Sequence, residues 1–273
     1  MTEQHAGQPV ADQPVTYVVA DGIATITLNR PDSMNSLNVA AKLALRDAVM
    51  AAAEDPAVRC LVLTGAGRAF CVGQDLKEHI QILQSRSSDE LFTTVPEHYN
   101  PIVTALATMP KPVIAAVNGV AAGAGASLAL ACDFRILADT AGFNTAFTGI
   151  ALSCDTGSSW TLPRLVGRAK ALELLYFPRT VDAEESQTLG LATKVVPGAE
   201  LQREVTELAR RLADGPTVAF GAVRRSVAFS AGHDFESSLA FEGTMMALTG
   251  ASQDHQQAVA SFVAKEKPSF EGR

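Results

Sequence analysis

Residues 112–133 read PVIAAVNGVAAGAGASLALACD, and this segment constrains the fold of the chain more than any other. An apolar strand runs into closely spaced glycines and then into an Ala/Leu-rich helix. Gly123 and Gly125 lack the Cβ atoms that would keep a ligand from the main chain, and a helix start presents free N–H groups. The segment therefore predicts a place where backbone amides bind negative charge.

A second segment, Arg59–His79, has the same organisation. The apolar strand CLVLTG precedes AGRAFCVGQDLKEH, in which a bulge or turn near Gly73–Gln74 exposes another amide before a helix. Two backbone donors that converge on one oxygen form an oxyanion hole, which stabilises charge developing on a carbonyl. Together the two segments predict such a hole.

Composition excludes several classes of protein. The chain has 273 residues, of which 47% are hydrophobic and 19% charged, so it can bury a large core as one compact unit with an appendage. A net charge of −7 argues against a sequence-independent nucleic-acid binder. The N-terminus, MTEQHAGQPVADQP, has no basic region followed by an apolar stretch. We therefore expect a cytoplasmic protein with no membrane or nucleic-acid partner, and a flexible tail over residues 1–13.

The four cysteines lie in apolar or strand-like contexts without metal-ligand spacing, which indicates reduced core thiols. They are Cys60, Cys71, Cys132 and Cys154. The histidines show no metal spacing either, so no metal site is predicted.

Local patterns predict an α/β protein. Apolar alternation around Asp21-Gly22 predicts a hairpin, and Asn38 is a candidate cap for a helix that ends at Asp55-Pro56. Strands and helices alternate over residues 101–196, as in sheets covered by helices.

Two further stretches have distinct patterns. Residues 80–100 are polar and predict a loop over a ligand, with 85–89 the most loop-like part. A helical region begins near Ala199 and contains breaks at Gly215-Pro216 and Gly232.

Six motifs in order resemble the crotonase, or enoyl-CoA hydratase/isomerase, superfamily over nearly the whole chain. They are LNRPDSMNSLN at 28–38, GRAFCVGQDLKE at 67–78, the segment at 112–133, LPRLVGRAKALELL at 162–175, GLATKVVP at 190–197 and FVAKEKPSFEG at 262–272. The resemblance implies a spiral of repeated ββα units over residues 14–198 and a helical oligomerisation region over 199–273. It also implies a homotrimer or a dimer of trimers.

The resemblance implies an acyl-CoA substrate whose thioester carbonyl is held by the N–H groups of Gln74 and Ala124. Gln74 stands where the family usually has alanine or a similarly small residue. Coenzyme A is then part of the substrate, and no separate cofactor is implied. Substrate or CoA contacts are implied for Met34, Gly73, Gln74, Asp75, Leu76, Lys77, Gly123, Ala124, Ser127, Phe147, Phe262 and Lys265. Lys77 is a candidate for a CoA phosphate, and Phe262 and Lys265 for the CoA of a neighbouring subunit.

The chain departs from the resembled pattern at two catalytic positions. Enoyl-CoA hydratases typically carry glutamates where this chain has Ser127 and Phe147, and adding water across a double bond is work for paired carboxylates. We therefore expect weak hydratase activity. Asp155, followed by Thr156, resembles the acid of the ring-epoxide phenylacetyl-CoA isomerases and that of the 4-chlorobenzoyl-CoA dehalogenases. One carboxylate suffices for a 1,3-proton shift while the hole holds the enolate.

Alternatives to isomerisation stay open. Asp155 as a nucleophile can attack an activated aryl ring, although the dehalogenase branch carries a tryptophan where Phe147 stands. The missing glutamates also fit a non-catalytic acyl-CoA carrier. Apart from the resemblance, an Asp-Thr-Gly tripeptide is often only a turn. The sequence does not identify the acyl group.

Overall fold

A computed structural model describes residues 13–85 and 92–273. The predicted tail over 1–13 therefore lies, apart from Gln13, outside the described residues. The described chain forms ten strands and eleven α-helices. The strands are β1 (Val15–Ala20), β2 (Ile23–Leu28), β3 (Cys60–Gly65), β4 (Ala69–Cys71), β5 (Val113–Val117), β6 (Val120–Ala122), β7 (Phe134–Ala138), β8 (Gly142–Asn144), β9 (Val181–Asp182) and β10 (Lys194–Val196). The helices are α1 (Val39–Glu54), α2 (Leu76–Ser85), α3 (Asn100–Thr108), α4 (Ala124–Leu130), α5 (Ser158–Val166), α6 (Arg168–Tyr176), α7 (Ala183–Thr188), α8 (Leu201–Ala213), α9 (Thr217–Ser230), α10 (Phe235–Gly250) and α11 (Gln253–Ala264).

The strands form two sheets, to which the chain adds strands in turn. One sheet has the order β1-β2-β3-β5-β7-β10 and the other β4-β6-β8-β9. Within them only β1–β2 and β8–β9 pair antiparallel. From β3 to β8 successive strands alternate between the sheets, so each pair of strands adds one strand to each sheet. This arrangement is the predicted spiral of ββα units, and the predicted α/β fold is confirmed.

Short-range signals account for the first elements. Asp21 and Gly22 have φ of 51° and 76°, the left-handed conformations that a two-residue hairpin turn requires. The side chain of Asn38 accepts a hydrogen bond of 2.9 Å from the backbone N–H of Ala41 and caps α1. The predicted hairpin and helix cap are both confirmed.

The core lies between the six-stranded sheet and the helices that cover it. Every residue of β5 is buried, as its continuous apolar run predicts for an internal parallel strand. Helix α8 buries Leu201, Val205, Ala209 and Ala213, which recur every four residues, and it packs on β3, β5 and β7. The first helix of the C-terminal region therefore belongs to the core packing, and the division of the chain at residue 198 stays a prediction.

The later C-terminal helices keep large apolar side chains exposed. Phe235, Met246, Phe262 and Val263 are each more than 70% exposed. The trimer or dimer of trimers implied by the resemblance stays a prediction. None of the described helices has the length and apolar character needed to cross a membrane.

The loop predicted over 80–100 is wrong at its two ends. Helix α2 continues to Ser85, and Val95–Tyr99 forms a π-helical turn that leads into α3. Leu76, Ile80 and Leu83 recur at helical spacing, and this periodicity outweighs the polar composition. Most of the stretch 85–89 lies outside the described residues.

Gly125 provides a test of the packing that positions α4. A Cβ atom at Gly125 would lie 2.2 Å from the carbonyl oxygen of Cys71, at the end of β4, so Gly125→Ala must move the helix. We expect this substitution to lower the free energy of unfolding by about 1–3 kcal/mol in urea titrations.

Gly243→Ala is the matched control, because a Cβ atom there meets nothing within 4 Å. We expect it to leave stability unchanged or to raise it by about 0.5–1 kcal/mol. Equal effects of the two substitutions would contradict this account of the α4 packing.

Candidate active site

The glycine segments singled out in the sequence meet at one sheet edge. Strands β4 and β6 are parallel neighbours, so the residues that follow them, Gly73–Gln74 and Gly123–Ala124, leave the sheet at the same end. A Cβ atom on Gly73 would lie 3.2 Å from the backbone nitrogen of Ala124. Gly73 also has a φ of 83°, which favours glycine. The two segments are therefore in close contact.

The backbone N–H of Gln74 is directed away from the segment that fixes it. Leu37 forms an isolated bridge with Gln74: its N–H donates to the carbonyl of Gly73 at 2.7 Å, and its carbonyl accepts from the N–H of Asp75 at 3.1 Å. Because peptide groups alternate in direction along extended backbone, the N–H of Gln74 faces the opposite side. It has no acceptor among the described residues.

The second amide belongs to Ala124, the first residue of α4. Gly123 before it has φ 52° and ψ −125°, and a Cβ atom there would meet nothing within 4 Å. Every residue of α4 is buried. The N–H of Ala124 precedes the first intrahelical bond and has no acceptor within the described ranges, so it is free to bind a ligand.

These amides border an apolar cavity of about 160 Å³. Its walls combine residues after β4, β6 and β8 with the stretch before α3. The lining residues are Val72, Gln74, Leu76, His79, Phe92, Thr94, Val95, Tyr99, Gly123, Ala124, Ala146, Phe147, Ile150, Leu152 and Asp155. Asp155 is the one carboxylate among them.

The carboxylate of Asp155 has an environment suited to a base. Burial raises the pKa of Asp155, against the opposing effects of the Thr156 hydroxyl and the charge of Lys42. Thr156 donates to Asp155 Oδ1 at 2.8 Å, and the N–H of Ser158 donates to the carbonyl of Asp155 at 3.0 Å.

A buried polar network, which the sequence did not predict, lies behind Gln74. Lys42 is only 1% exposed, and its ammonium donates to Gln74 Oε1 at 3.2 Å and to Thr94 Oγ1 at 2.6 Å. The Tyr99 hydroxyl donates to the same Gln74 oxygen at 2.7 Å. Burial lowers the pKa of Lys42, although the nearby carboxylates of Glu78, Asp75 and Asp155 oppose this effect. A lysine in the apolar stretch VAAKLAL was the available signal.

The side chain of Asp75 is engaged with the protein. It pairs with Arg30 at 2.8 Å, accepts from the Ser36 hydroxyl at 3.1 Å and accepts from the N–H of Lys77 at 3.1 Å at the start of α2. Burial opposes ionisation, but the hydrogen bonds from Arg30, Glu78 and Ser36 outweigh it and lower the pKa of Asp75. These bonds hold the Gln74 segment in place.

The remaining predicted residues divide between the cavity and other places. Leu76 and Phe147 line the cavity. Ser127 is fully buried behind it, and its hydroxyl lies 2.5 Å from that of Ser158. Met34 accepts a hydrogen bond through its carbonyl from Val72 and is not a lining residue.

Three residues predicted to contact coenzyme A lie at the surface. Lys77 is exposed at the start of α2, beside the cavity wall. Phe262 is 84% exposed on α11, and Lys265 ends that helix. Their roles stay predictions. Within 13–85 and 92–273, no cluster of three His, Cys, Asp or Glu side chains is arranged to hold a metal ion.

Comparison with known proteins identifies the family. A family model described as enoyl-CoA hydratase/isomerase matches residues 19–273. The chain therefore belongs to the enoyl-CoA hydratase/isomerase family, and the resemblance to the crotonase superfamily is confirmed.

Individual relatives carry different activities in their names. The chain is 40% identical over 255 residues to 1,2-epoxyphenylacetyl-CoA isomerase of Escherichia coli (strain K12), covering 93% of this chain and 97% of that protein. It is 32% identical over 256 residues to 4-chlorobenzoyl coenzyme A dehalogenase-2 of an Arthrobacter species, covering 94% and 92%. The crystal structure of enoyl-CoA hydratase from Bacillus anthracis matches with a TM-score of 0.89 at 31% identity, covering 96% of this chain and 100% of that one. Family membership therefore does not determine which reaction this chain catalyses.

The ion pair of Asp75 leads to a prediction about pH. Because its pKa is lower in the folded state, its ionised form stabilises the fold above its unfolded pKa of about 3.9. That contribution is lost as the pH falls through the folded pKa. We expect Asp75→Asn to lower the free energy of unfolding by about 1.5–3 kcal/mol near pH 7, and by much less once the pH is below the lowered, folded-state pKa of Asp75.

Urea unfolding of both proteins at a series of pH values measures this difference. A difference that stays constant from neutral to acidic pH would show that the charge of Asp75 does not stabilise the fold.

Proposed function

We propose that this chain is an acyl-CoA isomerase that uses an oxyanion hole and a single acid/base, Asp155. The observation that carries the proposal is the meeting of two unpaired backbone amides, of Gln74 and Ala124, with one buried carboxylate at an apolar cavity. In this proposal the thioester oxygen of the substrate accepts hydrogen bonds from both amides. Coenzyme A leaves the cavity past α2, where Lys77 is available for a phosphate.

The reaction needs one base and one stabilised anion. The Asp155 carboxylate removes a proton from a carbon next to the thioester, and the electron pair of that C–H bond delocalises onto the thioester oxygen. The two amides stabilise the resulting enolate. The protonated Asp155 then returns the proton at Cγ, two carbons beyond the Cα atom that lost it. The double bond thereby moves into conjugation with the thioester. A raised pKa suits a group that must both take and return the proton.

The cavity favours isomerisation over hydration. Hydration requires one group to activate water and another to deliver a proton, and Asp155 is the one carboxylate in the described lining. Ser127 is hydrogen-bonded to the carbonyl of Gly123 and lies against Ser158, and Phe147 presents a hydrocarbon ring. Neither side chain can act as a second acid.

Attack of Asp155 on an aryl ring is the second candidate reaction, and the name of the Arthrobacter relative supports it. It would join an oxygen of Asp155 to the ring carbon, expel the halogen as halide and leave an aryl ester on Asp155. Water would then hydrolyse this ester to a hydroxylated aryl thioester and the free carboxylate. Proton exchange and mass analysis separate these two reactions, and a non-catalytic carrier would show neither change.

The test is Asp155→Asn, whose amide is nearly isosteric with the carboxylate. We expect the variant to fold and to bind thioesters but to lose solvent deuterium incorporation into a 3-enoyl-CoA or an arylacetyl-CoA by at least about 10²-fold. Wild-type incorporation should rise with pH through the pKa of Asp155, since only the carboxylate is a base. Mass spectrometry of the recovered thioester measures the deuterium incorporation by each protein and its dependence on pH.

Asp139→Asn is the matched control, since Asp139 follows β7 at the surface and accepts from the N–H of Gly198. It should leave exchange unchanged. Equal incorporation by wild type and Asp155→Asn would identify another base. Tight thioester binding without exchange by the wild type would favour the carrier.

A further inference from the structure

The side-chain amide of Gln74 has a fixed orientation. Its Oε1 accepts from Lys42 Nζ at 3.2 Å and from the Tyr99 hydroxyl at 2.7 Å. An ammonium group has only donors, so the oxygen end of the amide must face Lys42 and the Nε2 end must face away from it. Lys42 is itself held by Thr94 at 2.6 Å and lies 5.4 Å from the centre of the Tyr99 ring.

The Nε2 group of Gln74 is available to a ligand. No hydrogen bond joins it to a described residue, and among the described side chains only the Tyr17 hydroxyl is a fully buried polar atom without a partner. The Nε2 group is therefore accessible, and Gln74 lines the cavity. Most of the surrounding cavity wall is apolar. A substrate oxygen placed beside Nε2 would therefore accept a hydrogen bond that a methylene group in the same place cannot make.

We propose that the side chain of Gln74 determines specificity by donating a hydrogen bond to an oxygen of the acyl group, and that the substrate class is acyl-CoA thioesters with an ether, epoxide, carbonyl or hydroxyl oxygen near the reacting carbons. The inference rests on the proposed function, since the backbone N–H of the same residue is one of the two oxyanion donors. The side-chain donor thus lies within the length of one glutamine side chain of the thioester oxygen. The oxygen it selects is only a few bonds from the thioester.

Two substitutions separate the donor from the network behind it. Gln74→Glu keeps an oxygen for Lys42 and Tyr99 but replaces the donor that faces the cavity with an acceptor. Gln74→Met removes both functions at similar volume. Both leave the backbone N–H in place. Leu76→Met, on the same wall, is the control for a change in shape alone.

The probes are two pairs of thioesters that differ by one oxygen in place of one methylene. They are phenoxyacetyl-CoA with 3-phenylpropanoyl-CoA, and 3-phenoxypropanoyl-CoA with 4-phenylbutanoyl-CoA. Dissociation constants come from titration calorimetry. In at least one pair, we expect Gln74→Met to weaken the ether about tenfold and its carbon analogue less than about twofold. Gln74→Glu should weaken the ether further, because two acceptors then face each other. Leu76→Met should change both members equally.

Each outcome bears on the proposal. The proposal is overturned if both Gln74 variants change the affinity for the ether and for its carbon analogue equally. It is also overturned if the wild type binds the ether more weakly than the carbon analogue in both pairs, and this comparison needs no variant. If either result is found while Asp155-dependent deuterium exchange persists, only the proposed role of the Gln74 side chain is wrong. If the wild type binds none of the four thioesters, the proposed function fails together with the inference.

Discussion

The parallel pairing of β4 with β6 is the constraint on which the rest of the site depends. It brings the Gly73 backbone into contact with that of Ala124. Gly125 permits this packing, because a Cβ atom there would collide with the carbonyl oxygen of Cys71. Backbone donors fixed by a sheet and a buried helix need little reorganisation when charge develops on a bound oxygen. In the proposed function, the spiral fold therefore supplies the stabilising groups, and the side chains determine which reaction follows.

Buried polar groups complete this arrangement at an energetic cost. Arg30 pairs with Asp75, and Lys42 lies in a nearly inaccessible position behind Gln74. Desolvating such charges costs several kcal/mol, which hydrogen bonds and opposite charges must offset. Their common effect is to fix the Gln74 segment from both sides: Asp75 holds its backbone, and Lys42 with Tyr99 holds its side chain. In the proposed function, these buried charges therefore help to position an oxyanion donor and contribute to substrate choice.

Much of this was predictable from the sequence, because the signals are local. The glycines at 123 and 125, the turn at Asp21-Gly22 and the cap at Asn38 act on adjacent backbone, and the six motifs fixed the family. The contacts of Lys42 with Gln74 and Thr94 were not predictable, since they join residues 32 and 52 positions apart. The pairing of Asp75 with Arg30, 45 positions away, was not predictable for the same reason. The substrate or CoA contact that the resemblance implies for Asp75 stays a prediction.

In the proposed function, two backbone amides polarise the thioester carbonyl. The most direct measurement is isotope-edited infrared spectroscopy of 3-phenylpropanoyl-CoA carrying ¹³C at the thioester carbonyl, bound at saturation to the wild type and to Ala124→Pro. Proline is tolerated at the first position of a helix, where it replaces the N–H with a ring carbon on the same nitrogen. We expect the carbonyl stretch to lie at lower frequency on the wild type than in water, and to be displaced less on the variant. Identical frequencies on both folded proteins would contradict this expectation.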